Sequence, residues 1–278
     1  MDSTLGRESW RELLAPGDAL IGMTHVHALP GTPGHTLSIP SIVERAVRDA
    51  VTLRDAGFDA VIIENMHDAP YVHGPRLGPE ITACMTAVTS AVRSAVDVPL
   101  GVQVLSGGNT HALAVAKACG GAFIRCENFV FSHVADEGLL SEAEAGPLLR
   151  YRRMLQAVQV GIFCDIKKKH ASHTITGDVS IGDAVQAAAF FRADAVIITG
   201  SHTGQPTSVA DVQQAAAASE LPVLVGSGVN VDTVAALLEH ADALIVGSDI
   251  KHNGLWSNDV DPARACAIVA ARDRGSRR

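Results

Sequence analysis

Short apolar runs alternate with longer amphipathic stretches along almost the whole chain. The runs are ALIGMTHVH (19–27), AVIIENM (60–66), PLGVQVL (99–105), AFIRCEN (122–128), QVGIFCDIK (159–167), AVIITGS (195–201), PVLVGSG (222–228) and ALIVGSD (243–249). Their apolar positions are continuous, not alternating, as expected of parallel strands buried on both faces. Ala-rich stretches of helical spacing lie between most of them, such as IVERAVRDAVTLRDAG (42–57) and DAVQAAAFFRA (183–193). Gly57 and the Gly120-Gly121 pair end two of these stretches, as glycine does at helix C-termini. Asp59, Asp194 and Asp242 each stand directly ahead of an apolar run. The recurring helix–Asp–strand unit predicts a parallel βα repeat.

Eight units predict an α/β protein with a single (β/α)8 TIM barrel over residues 18–272. Residues 1–17 read as a short helical extension and residues 273–278 as a basic tail. A doubly wound sheet fits less well. Six strands is its usual number, and no GxGxxG follows the first run. Two connections exceed the rest, residues 28–41 after the first strand and 129–151 after the fourth. In a barrel both belong to the C-terminal face, where long loops serve as lids or binding loops.

Composition narrows the class. With 47% hydrophobic residues over 278 positions, the chain can bury a large core, which excludes a disordered protein. Thirty acidic residues against 22 basic ones give a net charge of −8, which argues against nucleic acid as a partner. The five cysteines are scattered with no CxxC, so no disulfide framework is expected. No apolar run approaches the length that spans a bilayer, and the first 20 residues lack a signal-peptide pattern. A cytoplasmic protein is expected.

Candidate chemistry sits at the strand ends, where barrels carry their sites. Alternation places residues i and i+2 on one face of a strand. The strands thus offer His25 and His27, Glu64, Gln103, Arg125 and Glu127, Asp165 and Lys167, Thr199 and Ser201, and Ser248 with Asp249. Asn65 falls on the opposite face from Glu64. Asn128 and Thr203 lie just beyond their strands. Glu64, Glu127, Asp165 and Lys167 are the expected catalytic set. His25, His27, Asn65, Gln103, Arg125, Asn128, Thr199, Ser201 and Thr203 are expected to contact substrate. Gly226-Ser227-Gly228 after the seventh strand and Gly247-Ser248 after the eighth form a pair of glycine turns. Such turns let backbone N–H groups approach an anion, so a phosphate is expected there.

The blocks MTHVHALPGTP, DAVIIENMHDAPY, AFIRCENF, DIKKKHA, ADAVIITGSHTGQPT, VLVGSGVNVDTV and ADALIVGSDIKHNG resemble the BtpA/SgcQ family in order and spacing, over roughly residues 18–270. The resemblance implies a barrel of the ribulose-phosphate-binding type. One branch of that family is linked to photosystem I biogenesis, and another lies with sugar-utilisation genes and resembles enzymes. The richly ionisable strand ends side with the second branch.

The leading expectation is therefore an enzyme on a phosphorylated sugar or a nucleoside-like glycoside. Several carboxylates in one mouth allow one to act as acid while another acts as base. Isomerisation, lyase chemistry and N-glycosidic hydrolysis all fit. Lys167 shares a face with Asp165 and would pair with it or with a phosphate, or attack a carbonyl. Arg125 would clamp an anion, or pair with Glu127 or Glu64. No cofactor is required. A second reading is a metal-dependent hydrolase, with a divalent ion on His25, His27 and Asp249, joined by His170 or His202. A third is a non-catalytic assembly factor, with Phe129 and Phe131 as a contact surface. Fold-level analogy adds a homo-oligomer.

Overall fold

The computed structural model describes residues 9–200 and 207–275. The strands are β1 (Ala19–His25), β2 (Ala60–Glu64), β3 (Leu100–Gln103), β4 (Phe123–Cys126), β5 (His133–Ala135), β6 (Gly138–Leu140), β7 (Gly161–Ile166), β8 (Ala171–Ser172), β9 (Ala195–Ile198), β10 (Val223–Val225) and β11 (Ala243–Val246). The helices are α1 (Ser9–Leu14), α2 (Ile39–Ala56), α3 (Pro79–Ala95), α4 (Asn109–Cys119), α5 (Ala145–Met154), α6 (Ile181–Phe190), α7 (Val209–Ala218), α8 (Val234–Leu238) and α9 (Pro262–Gly275). Eight strands, β1-β2-β3-β4-β7-β9-β10-β11, close into a parallel barrel, β11 pairing with β1. Each of the eight apolar runs supplies one barrel strand. Helix α9 continues to Gly275, past the boundary expected at residue 272.

Strand alternation sorts the apolar residues into two cores. Leu20, Val61, Ile63, Val102, Ile124, Ile162, Val196 and Leu244 face outward and pack under the helices. Ile21, Met23, Ile62, Phe123, Phe163, Ile197, Leu224 and Ile245 face inward and fill the lumen. Gly101 sits at this inner level because a Cβ there would strike the Phe123 ring. The N-terminal helix closes the bottom. Trp10, Leu13 and Leu14 join the inner core, and Trp10 meets Phe163 edge-on at 5.7 Å. Phe163 in turn stacks on Phe123 at 4.5 Å. Residues read as an extension thus complete the barrel core.

The recurring aspartates have one shared role. Asp59 Oδ2 accepts the Leu20 N–H at 2.8 Å, and the Asp59 N–H donates to the Leu20 carbonyl at 2.9 Å. Asp194 brackets Ile162 in the same way (2.9 and 2.9 Å), and Asp242 brackets Val223 (2.8 and 2.8 Å). Each aspartate therefore pins the start of its strand to the preceding one. Arg272 and Arg152 pair with Asp59 and Asp194 and offset the cost of placing those charges there.

The long connection after β4 is not free loop. Its strands β5 and β6 form a hairpin, and β8, from the connection after β7, adds a third antiparallel strand. This small sheet overhangs the C-terminal mouth. Phe129, expected at a contact surface, is instead fully buried in the outer core, while Phe131 is exposed.

Candidate active site

The polar residues follow from the inner apolar layer by adding two. Ile21 and Met23 lead to His25, Ile62 to Glu64, Gly101 to Gln103, Phe123 to Arg125, Phe163 to Asp165 and Ile197 to Thr199. Leu224 and Ile245 lead to Gly226 and Gly247. The first six place a polar ring above the apolar lumen, and the two glycines open one side of it. His25, Glu64 and Gln103 sit in direct register on adjacent strands. A cavity of about 490 Å3 stands over this layer, well within the range of small-molecule sites. Its walls include His25, Glu64, Gln103, Arg125, Glu127, Asp165, Gly226, Ser227, Gly228, Gly247, Ser248 and Asp249.

Three ionisable pairs organise it. The Arg125 guanidinium grips Asp165 with two nitrogens, Nη2 to Oδ1 at 2.9 Å and Nε to Oδ2 at 3.0 Å. Burial works against the Arg125 charge, but the Asp165 carboxylate outweighs it and holds the guanidinium firmly protonated. Lys168 Nζ donates to Glu127 Oε1 at 3.0 Å, and the Gly107 N–H donates to Oε2 at 2.8 Å. Burial pushes the Glu127 carboxyl up, yet Lys168 and the Gly107 N–H prevail and keep it below the ordinary range. The third pair is different. His25 Nε2 stands 3.5 Å from Glu64 Oε2, while Nδ1 lies 2.7 Å from the Trp256 carbonyl. Only a protonated Nδ1 can satisfy that carbonyl, so the neutral ring turns its Nε2 lone pair to Glu64. Burial raises Glu64 to about 7 and depresses His25 well below its ordinary value. Glu64 is thus a carboxyl poised to exchange a proton near neutrality.

Several expected site residues stand elsewhere. Lys167 does not line the cavity. Its φ of 47° breaks the alternation beyond Ile166, so the inward direction passes to Lys168 and Lys169. Asp165 pairs with Arg125, not with Lys167, and Arg125 pairs with neither Glu127 nor Glu64. His27 lies past the end of β1. It stacks on His67 at 4.7 Å, with Nε2 3.7 Å from Asp259, outside the cavity. Asn65 braces the loops instead. It donates to Asp68 and accepts the Leu105 N–H at 2.7 Å. Asn128, at φ 54°, donates to the Glu142 carbonyl and closes the loop that carries the hairpin. Thr199 is buried and accepts the Lys169 N–H at 3.0 Å. Ser201, Thr203 and His202 lie outside the described residues.

The metal triad does not assemble, because His27 turns away from His25 and Asp249 is engaged by Arg264 at 2.7 Å. Among the described residues no cluster of three or more His, Cys, Asp or Glu side chains is placed to hold a metal ion. Lys168, Lys169, Tyr71, Asn230 and Trp256 are cavity residues the strand pattern missed. Lys168 and Lys169 stood in the DIKKKH run, but only the backbone turn at Lys167 shows which of the three face inward. The connection at 28–41 contributes nothing to the cavity walls, whereas the hairpin contributes Asp136 and Glu137.

Fold and site together define a (β/α)8 barrel with an ionisable pocket at its C-terminal mouth. The chain belongs to the BtpA family, whose pattern matches residues 17–274. It is 45% identical over 250 residues to an uncharacterized mitochondrial protein of Caenorhabditis elegans, covering 88% of this chain and 89% of that one. It is 33% identical over 259 residues to the photosystem I biogenesis protein BtpA of Synechocystis, covering 92% and 88%. Among solved structures it resembles (S)-3-O-geranylgeranylglyceryl phosphate synthase of Thermoplasma acidophilum in complex with sn-glycerol-1-phosphate. That similarity has a TM-score of 0.60 at 15% identity, over 99% of this chain and 100% of that one. No helix among the described residues is long and apolar enough to cross a membrane.

Proposed function

We propose that this protein is an enzyme acting on a small phosphorylated sugar or nucleoside-like glycoside by acid–base chemistry. The phosphate end binds at the turns of Gly226–Gly228 and Gly247–Ser248, and the reacting end faces Glu64. The observation that carries this reading is the layout of one cavity. Two glycine turns line it together with a carboxyl buried near neutral pKa beside an oriented imidazole. The Gly228 and Val229 N–H groups have no acceptor among the described residues, as an anion cradle requires. Gly228 holds φ at 70°, a conformation glycine adopts without strain. The phosphate-ligand complex of the similar barrel supports the same reading by analogy.

Glu64 exchanges the proton and His25 orients and shares it. Glu127, held below the ordinary carboxyl range by Lys168, and Asp165, gripped by Arg125 although burial pushes its carboxyl up, position charge at the cavity wall. Of the three expected catalytic carboxylates, Glu64 is the one that stands beside the oriented imidazole.

Titration calorimetry with inorganic phosphate, ribose 5-phosphate, hexose phosphates, nucleotides and free nucleosides tests the proposal. Binding of phosphorylated compounds, abolished by Gly228→Asp, is the expected result. Heat from none of them would overturn it and bring forward a biogenesis role of the kind the cyanobacterial relative's name describes.

A further inference from the structure

The chain has five lysines. Three have committed ammonium groups. Lys251 Nζ donates to Asp49 at 3.0 Å, Lys117 Nζ to the Gln156 carbonyl at 3.0 Å, and Lys168 Nζ to Glu127 at 3.0 Å. Lys167 is turned out of the cavity. Lys169 lines it, and among the described residues its Nζ meets no hydrogen-bond or ion-pair partner. Its backbone N–H is fixed on Thr199 Oγ1, which sets the root of the side chain.

The surroundings weaken the hold of Lys169 on its proton relative to a lysine in water. Burial disfavours the Lys169 ammonium first, and the Arg125 guanidinium adds like-charge repulsion; together they outweigh Glu64 and the other carboxylates and bring its pKa below the ordinary lysine value. Arg125 cannot relieve the repulsion by moving, because its fork is locked on Asp165. An uncommitted amine under these conditions is a nucleophile toward carbonyl carbon. Dehydration of the first adduct needs an acid, and Glu64 lines the same cavity, with Lys169 among the cations that act on its carboxyl.

We infer that Lys169 forms an imine with a phosphorylated aldehyde or ketone bound in this cavity. The inference rests on the proposed function for the phosphate end of the ligand only. Lysine Nζ attacks the carbonyl carbon, and the carbonyl oxygen takes the Glu64 proton as the C–N bond forms. A proton on nitrogen returns to the Glu64 carboxylate. The carbinolamine hydroxyl then takes that proton and leaves as water, while the nitrogen lone pair closes the C=N bond. The product is a protonated imine, and Glu64 ends ionised.

Borohydride trapping tests this on the full chain. The protein is incubated with glyceraldehyde 3-phosphate, dihydroxyacetone phosphate, ribose 5-phosphate or pyruvate, reduced, and analysed by intact mass and peptide mapping. The expected result is a gain equal to the compound less one oxygen atom, mapped to Lys169. It is absent in Lys169→Arg, which keeps the charge, and inorganic phosphate suppresses it. No adduct in a protein that binds phosphate by calorimetry would overturn the imine and leave the phosphate site standing. Label spread equally over Lys117 and Lys167, or surviving in Lys169→Arg, would also overturn it. Trapping on Lys169 by pyruvate as strongly as by the phosphorylated compounds, unaffected by phosphate, would support the imine and overturn the phosphate end.

Discussion

Glu64 and His25 stand side by side on adjacent strands, carboxyl to imidazole at 3.5 Å, with the far nitrogen of the ring held by the Trp256 carbonyl. Neither is buried alone, yet neither meets a full opposite charge at that contact. The proton that belongs to the pair therefore stays on the carboxyl up to about pH 7.

This has a consequence for stability. In the unfolded chain Glu64 releases its proton near the ordinary value of 4.5; in the folded chain it does so near 7. Between those values the native state binds the extra proton, so the contribution of Glu64 to stability falls as pH rises through that window. The loss is on the order of 3 kcal/mol once both values are passed. Glu64→Gln removes the titration. Its stability relative to the parent is expected to rise between pH 5 and 7.5 in urea denaturation. A pH-independent difference would show that Glu64 titrates normally.

Asp194 tests the strand-start device. Asp194→Ala strands the Ile162 N–H and frees Arg152, at a cost of about 1–3 kcal/mol. Asp194→Asn keeps an acceptor for Ile162 and is expected to cost less. Equal losses in the two variants, read by urea midpoints, would place the effect in the ion pair.

Gly101→Ala drives a methyl into the Phe123 ring at the centre of the lumen. Overpacking of this kind costs about 1–3 kcal/mol. Phe123→Leu makes room, so the double variant is expected to lose less than the sum of the singles. Additive losses in a double-mutant cycle would rule out the contact.

The fully buried Lys251 and its partner Asp49 anchor the segment that carries Ser248 and Trp256 to helix α2. Lys251→Met leaves a buried carboxylate without its cation and is expected to cost about 3–5 kcal/mol. Adding Asp49→Asn removes that charge while keeping an acceptor for the Val260 N–H, and most of the loss is expected to return. Thermal melts of both variants decide it. A double variant as weak as the single would mean the packing of Lys251, not its charge, is what matters.

The barrel was legible because it is written in local patterns. Eight apolar runs and an aspartate ahead of several of them do not depend on distant contacts. The polar ring was legible for the same reason. His25, Glu64, Gln103, Arg125 and Asp165 lie within or at the end of regular strands, where the period of two holds. The errors begin where regular strand ends. Extending the period of two past β1 and β7 points His27 and Lys167 inward, but His27 lies beyond the end of its strand and Lys167 sits at φ 47°. Asn65 and Asn128, next to Glu64 and Glu127 in sequence, bond to the loops instead, Asn128 at φ 54°.

By itself the sequence determined the class of fold, the order of its strands, the level of the polar ring and the glycine turns beside it. Those follow from hydrophobic period and backbone permissiveness, which act over a few residues. Only the tertiary structure decided which charges pair. Arg125 and Asp165 are 40 residues apart, Lys168 and Glu127 41. Only closure of the barrel brings such groups within 3 Å, removes water from them and raises the Glu64 pKa. A pair's partner and a carboxyl's burial are properties of the closed barrel, and no local pattern in the chain encodes them.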